Sequence, residues 1–154
     1  MNHIGIDVSS KELQVVVSVN VKHRKAQRYE NTPEDHKRLV ALIQKLQGES
    51  IVCMEATGMH HFDLAVVLSR SEKITVTVIN PKAAHNFAKA LMQRCKTDSI
   101  DAGVLANYAE RMPLVEWRRP SEKALALRAL ARRISATNKI KAQLKNQLGA
   151  LILT

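Results

Sequence analysis

The sequence predicts an α/β fold: a mixed sheet in which a three-strand antiparallel meander is continued by parallel strands, flanked by helices and followed by a long basic helix. Three observations carry this expectation. The first thirty or so residues hold alternating apolar runs joined by short connections, as antiparallel neighbours are. From Thr32 onward, helix-start signals alternate with short β-branched runs, the pattern of crossover-linked parallel strands. Hydrophobic residues make up 45% of the chain but aromatics only 3%, so the core must be built from Val, Ile, Leu and Ala. That composition suits helices layered on a sheet better than an aromatic-rich sandwich. A length of 154 residues suits one domain with an appendage.

Residues 3–8 form the first strand, an apolar run interrupted by Asp7. Ser9-Ser10-Lys11 turns the chain. Leu13, Val15, Val17, Val19 and Val21 then alternate with Gln14, Ser18 and Asn20 as a second strand, and residues 24–30 alternate weakly as an exposed edge strand. Thr32-Pro33-Glu34-Asp35 starts a helix, with Thr as cap, Pro at the first helical position and acids in the first turn. Leu39, Leu42, Ile43 and Leu46 form its apolar stripe, and Gly48 stops it.

Residues 51–55 are the next strand, ending on Glu55, and Ala56-Thr57-Gly58 leads into a helix whose stripe includes Phe62, Ala65, Val66 and Leu68. Residues 74–79 are a β-branched strand, and Asn80-Pro81 caps a helix reaching about residue 92. After the polar residues 93–97, Asp98 begins another helix with Ile100, Val104, Leu105 and Tyr108 inward, closed by Met112-Pro113. Trp117-Arg118-Arg119-Pro120 is a boundary, giving a domain at 1–117 and a basic helix at 118–154. From Ser121, Leu127, Leu130, Ile134, Thr137, Lys141, Leu144, Leu148 and Leu151 follow 3-4 spacing, a coiled-coil seam interrupted by Thr137 and Lys141.

The formal net charge is +10 and unevenly spread. Residues 118–154 carry nine Lys/Arg against Glu122 alone, a net of +8, which leaves +2 for residues 1–117. A basic segment beside a nearly neutral globule points to nucleic acid, and its alternative is a solvated coiled-coil face. Cys53 and Cys95 lack metal-ligand or CxxC spacing and read as reduced packing residues. The start of the chain has no basic region followed by a cleavage site, and no run of 18 apolar residues exists. The expectation is a soluble cytoplasmic protein, with the nucleoid as its place of action and no membrane partner.

Asp7, Glu55, Asp98 and Asp101 are the candidate chemistry. Carboxylates at strand ends are costly to bury unless paired or bound to a metal. Three meander strands followed by alternating helices and strands is the pattern of a ribonuclease-H-like sheet, and sites in layered α/β sheets form outside strand ends. Asp7 lies in the first strand, Glu55 ends a strand expected beside it, and Asp98 and Asp101 open a helix at i, i+3. Four carboxylates gathered together repel and raise some of their own pKa values unless a cation is bound. Oxygen donors suit Mg²⁺, and Mn²⁺ fits the same set. Paired divalent ions held by carboxylates are a usual device for breaking phosphodiester bonds. Each acid taken singly also reads as a strand end or a helix-terminal charge. His60 and His61 are expected on a helix surface and Asp63 in solvent. Lys96 is placed to meet a phosphate, and Arg118, Arg119, Arg128, Arg132, Arg133, Lys139, Lys141 and Lys145 are the candidate nucleic-acid contacts of the basic segment.

Ile4-Gly5-Ile6-Asp7-Val8-Ser9-Ser10-Lys11, Met54-Glu55-Ala56-Thr57-Gly58, Ile79-Asn80-Pro81 and Lys96-Thr97-Asp98-Ser99-Ile100-Asp101-Ala102 resemble the motifs of DEDD transposases of bacterial insertion sequences. That family includes Piv-type DNA invertases and bridge-RNA-guided recombinases. The resemblance spans essentially the whole chain. It implies a RuvC-like catalytic domain binding Mg²⁺ through Asp7, Glu55, Asp98 and Asp101, acting in cleavage and strand exchange of DNA. In the guided members a non-coding RNA pairs with donor and target DNA. It further implies that the basic helix dimerises the protein, as a homodimer or higher oligomer, and contacts nucleic acid. Family members continue into a domain carrying a nucleophilic serine, whereas this sequence stops at Leu151-Ile152-Leu153-Thr154. The expectation is a partial chain that does not complete recombination alone. Three other readings remain at this point: a free-standing junction-resolving or structure-specific nuclease, a dimeric nucleic-acid-binding module with structural acids, and an actin-like ATPase suggested by Gly5–Ser10 alone.

Overall fold

The computed structural model describes residues 1–91 and 101–153. The chain divides into two units, Met1–Arg119 and Pro120–Thr154. In the first, β1 (Asn2–Val8) is the centre of a six-stranded mixed sheet. It pairs antiparallel with β2 (Glu12–Val19) from Asn2↔Val19 to Val8↔Leu13, and parallel with β5 (Ser50–Glu55) from Asn2↔Ser50 to Ile6↔Met54. β6 (Ile74–Ile79) runs parallel to β5, and β3 (Lys22–His23) pairs with β2, giving the order β3-β2-β1-β5-β6. The meander, the parallel continuation and the central pairing of β1 with the Glu55 strand are therefore as expected.

The second hairpin differs from expectation. β2 stops at Val19, and Asn20 and Val21 form a two-residue turn with φ of +52° and +63° before Lys22 pairs back to Val19. Val21 is a turn residue, not a strand residue. The expected third strand is split into β3 (Lys22–His23) and β4 (Gln27–Glu30), both paired with β2. β3 occupies the Ser18–Val19 end of β2 and β4 the Glu12–Val15 end, so one continuous strand would need β2 paired through Val16 and Val17 as well.

Helices cover both faces. α1 (Pro33–Gln44) begins as its signals require, with the Thr32 hydroxyl accepting from the Asp35 amide at 3.4 Å. It and α2 (Phe62–Ser69) pack on one face, where Ile4, Ile6, Leu13, Val15, Leu39, Val52, Met54, Leu64 and Leu68 are essentially inaccessible. α3 (Pro81–Leu91) and α4 (Ala102–Arg111) pack on the other, against Cys53, Ile79 and Val16. Cys53 is a free thiol pushed up to about 11 by burial, an inert packing residue as expected. Trp117 closes this unit: its amide donates to the Val76 carbonyl at 2.7 Å, and its ring meets Phe62 edge-on at 5.9 Å.

In the second unit, α5 (Glu122–Leu153) begins at Ser121, whose hydroxyl accepts from the Ala124 amide at 3.1 Å. Its 32 residues make a rod of about 48 Å. Leu127, Leu130, Ile134, Leu144, Leu148 and Leu151 are each more than half exposed. Among the described residues, no helix is long and apolar enough to cross a membrane.

Gly5 decides how deeply α4 sits. A Cβ at this position would overlap the Ala102 carbonyl oxygen and the Ala106 amide nitrogen. The helix backbone itself rests on the central strand, with Ala102, Ala106 and Val16 filling the contact. Helix backbone cannot yield as a flexible side-chain tip can, so Gly5→Ala is expected to lose about 3 kcal/mol by denaturant titration. A loss below about 1 kcal/mol would mean that α4 is free to ride outward.

Candidate active site

Side chains alternate along a strand, so β1 sends Ile4 and Ile6 to the α1/α2 face and turns Gly5 and Asp7 to the α4 face. β5 follows the same alternation, with Met54 on the first face and Cys53 against α4. The parallel register Gly5↔Cys53 and Ile6↔Met54, carried one step further, sets Asp7 beside Glu55 on the α4 face, on strands about 4.8 Å apart. Both acids stand at the carboxyl ends of the two central parallel strands, where α/β sheets form their sites.

Asp101 arrives from above. It is the N-cap of α4, with extended φ and ψ of −105° and 177°, and its Oδ1 accepts from the Val104 amide at 2.9 Å. The next residue, Ala102, lies on Gly5, two positions from Asp7 on the same face of β1. Asp101 therefore comes close enough for its charge to act on Asp7. Burial first, and the Asp101 charge second, push the Asp7 carboxyl above its ordinary value.

This corrects the expected helix start. Asp101 is a cap in extended conformation and not a first-turn helical residue, because a capping carboxylate satisfies an amide that the helix leaves open. The i, i+3 argument joining it to Asp98 does not apply. Asp98 and Lys96 lie outside the described residues, as does Cys95.

Asp7 and Glu55 are half-buried, and neither carboxylate has a hydrogen bond or a cation partner among the described residues. No group of three or more His, Cys, Asp or Glu among the described residues is arranged to hold a metal ion. The described geometry thus unites Asp7 with Asp101 and sets Glu55 alongside. The donors fit a hard divalent cation in chemistry: they are all carboxylate oxygens, the Asp101 charge acts against that of Asp7, and Asp101 spends only one oxygen on its cap.

The histidines depart from expectation. His61 is buried, 7% exposed, ahead of α2 and not on its surface, because α2 begins only at Phe62 after a turn through Met59. His60 is exposed in that turn, and its carbonyl accepts from the Asn31 side chain at 3.1 Å. Asp63 is exposed in the first turn of α2, as expected. Of the candidate nucleic-acid contacts, Arg118 and Arg119 are exposed at the end of the first unit. On α5, Arg132, Arg133, Lys139, Lys141 and Lys145 are exposed and Arg128 is half-buried.

Glu110 escaped the sequence reading. Its side chain is 7% exposed, Oε1 accepts from the Ser18 hydroxyl, and His23 Nε2 lies 3.3 Å from the same oxygen. This carboxylate fastens the end of α4 to β2 and β3. The spacing Ala102, Ala106, Glu110 puts it on the sheet-facing stripe, a signal that helical periodicity alone contains.

Ionised Asp7 costs the metal-free protein stability. Its contribution is fully present below the ordinary aspartate value of 3.8 and is lost as pH rises through the raised folded value. Asp7→Asn is therefore expected to raise the melting temperature at about pH 7 in chelator, with the gain fading toward about pH 4. Equal melting temperatures across that range would remove the carboxylate repulsion from the account.

Comparison with known proteins bears on the family and the fold. A family model described as a transposase, that of the DEDD transposases, matches residues 4–154. Pilin gene-inverting proteins of Moraxella lacunata and Moraxella bovis are each 37% identical over 78 residues, which is 50% of this chain and 24% of theirs. The match thus spans about a quarter of the length of these curated relatives. The fold is similar to that of Thermus thermophilus RuvC, with a TM-score of 0.52 and 17% identity, covering 76% of this chain and all of that one. A second structure, T. thermophilus RuvC in complex with a Holliday junction substrate, gives a TM-score of 0.47 at 16% identity, covering 76% of this chain and 99% of that one. The sheet is thus ribonuclease-H-like in the RuvC manner, and the chain belongs to the DEDD transposase family.

Proposed function

We propose that this chain is the catalytic part of a DNA transposase or site-specific recombinase, using Mg²⁺ for strand cleavage. The observation that carries the reading is Asp7 beside Glu55 at the ends of neighbouring strands, with Asp101 held over Asp7 by the seating of α4 on Gly5. Asp98 completes the set in this reading, and Mn²⁺ would satisfy the same oxygens. The ions, when bound, supply an activated attacking oxygen and stabilise the leaving one. The protein's own work is to hold the carboxylates at a fixed depth, keep Asp101 oriented through its cap, and bring DNA to them.

The Moraxella relatives are named for inverting a pilin gene, and a DNA rearrangement between specific sites is the activity we assign to the longer protein. A guide RNA pairing with donor and target is the finer form of this assignment. The domain at 1–117 does the cleavage in this reading. The basic helix from 118 onward contacts nucleic acid and joins two copies into a homodimer. Its exposed leucines and isoleucines support that pairing, and the Thr137 hydroxyl donates back to the Arg133 carbonyl at 2.9 Å, bringing no open donor to the seam.

A free-standing junction nuclease is the second reading, favoured by the likeness to RuvC over the whole of that chain. The two readings separate on products: joined recombinant strands in one, nicked junctions alone in the other.

Asp7→Asn and Asp101→Asn in the full-length protein are expected to lower strand cleavage by at least about a thousandfold while melting within a few degrees of wild type. Asn retains the capping role that Ala would forfeit at a cost of about 1 kcal/mol, so Asp101→Asn separates chemistry from helix stability. Cleavage at wild-type rate by either variant would sink the assignment. For the seam, Leu144→Ser with Leu148→Ser is expected to shift the chain from dimer to monomer in sedimentation. A wild-type chain that is already monomeric would overturn the pairing.

A further inference from the structure

We propose that the turn between β2 and β3 is a DNA-contacting finger, in which Val21 enters a groove of duplex DNA while Lys22, Arg24 and Lys25 meet phosphates. The inference rests on the reading that the protein acts on DNA, and extends the contact surface from the basic helix to the catalytic unit itself.

Charge is the first observation. Every residue from Asn20 to Arg28 is exposed. Arg28 is committed to Glu12 at 2.7 Å, but Lys22, Arg24 and Lys25 have no acidic partner among the described residues. Three uncommitted cations thus fall within four positions of a domain whose first 117 residues carry a net of only +2. Uncommitted cations concentrated on one projecting element suit phosphate, whose neutralisation releases condensed counterions.

The backbone is the second observation, independent of charge. Asn20 and Val21 are the only non-glycine residues with positive φ among the described residues, and they are consecutive. A β-branched residue at φ +63° is strained, and the Asn-Gly pair is what such a turn prefers. Val21 is nonetheless valine, and 75% exposed. No described residue covers it, so its apolar branch has no packing role to offset the strain. Strain kept at an exposed position is the mark of a contact made outside the chain.

Shape and placement point to the partner. A two-stranded β-ribbon fits the major groove of B-form DNA, where an apolar side chain meets the thymine methyl group. The major groove of duplex RNA is deep and narrow and does not admit side chains, which selects DNA. The base of the finger is held firmly. Ser18↔His23 and Val19↔Lys22 pair across it, and Ser18 and His23 both reach Glu110 of α4. Its tip at Asn20 stands six residues from Gln14, the partner of Asp7. That is roughly 20 Å, about six base pairs of a duplex running along the strand.

The test uses the 154-residue chain with a random-sequence DNA duplex about three helical turns long, and an RNA duplex of the same sequence. Binding is read by anisotropy over a salt series. Lys22→Ala, Arg24→Ala and Lys25→Ala combined are expected to make the DNA salt slope shallower by about 2 to 3, at roughly 0.9 per phosphate contact. Val21→Gly is expected to raise the melting temperature, since it relieves the turn, yet to bind DNA about tenfold more weakly with an unchanged slope. The RNA duplex is expected to be indifferent to Val21→Gly. A wild-type salt slope in the triple variant, undiminished DNA binding by Val21→Gly, or an equal loss on RNA would overturn the finger and leave the transposase reading standing. Failure of the wild-type chain to bind DNA at all would overturn both.

Discussion

The seating of α4 on β1 at Gly5 is the contact on which the site depends. β1 is the central strand, and at Gly5 it presents bare backbone to the helix. Ala102 and Ala106 allow the approach from the helix side. The depth so fixed is what brings the N-terminal end of α4, and with it Asp101, within reach of Asp7. At the other end of the helix Glu110 ties into Ser18 and His23. The helix is pinned against the sheet near both ends, by packing at one and by hydrogen bonds at the other. A side chain at position 5 would lift the N-terminal half of the helix and open the site without touching an acid.

That seating comes at an electrostatic cost. It faces one carboxylate with another over a half-buried strand end, and no described cation offsets them. The chain is rich in cations, with a net of +10, yet none of the described ones pairs with these acids, while Lys22, Arg24 and Lys25 of the β2–β3 turn have no acidic partner among the described residues. Such a separation makes sense if the acids wait for divalent ions and the basic surfaces wait for phosphate. A lysine beside Asp7 would stabilise the metal-free fold and, on the proposed function, fill the place of the cation.

Much of this was legible locally. The β-branched run Ile74–Ile79, the Thr32-Pro33 helix start and the acid at the end of residues 51–55 announced themselves through composition and spacing. The pairing of β1 with β5 followed from connection rules. What was not legible depended on partners distant in sequence. Whether Val21 continues a strand or turns back is decided by which residues β2 finds on its outer edge, and the alternation of valines gives no sign of it. His61 is buried because of where α2 starts, one residue later. Asp101 reads equally well as a helical or a capping residue until the backbone is seen. Gly5 looked like part of a motif, and its reason, the helix backbone above it, lies about a hundred residues away.

The most direct test of the account is a Mg²⁺ titration by calorimetry on the wild-type chain and on Asp7→Asn and Glu55→Gln. Specific binding to wild type is expected to be lost in both variants, with each variant melting cooperatively. Binding that survives unchanged in Asp7→Asn would place the metal elsewhere and overturn the proposal that α4 and the two central strands build a metal centre.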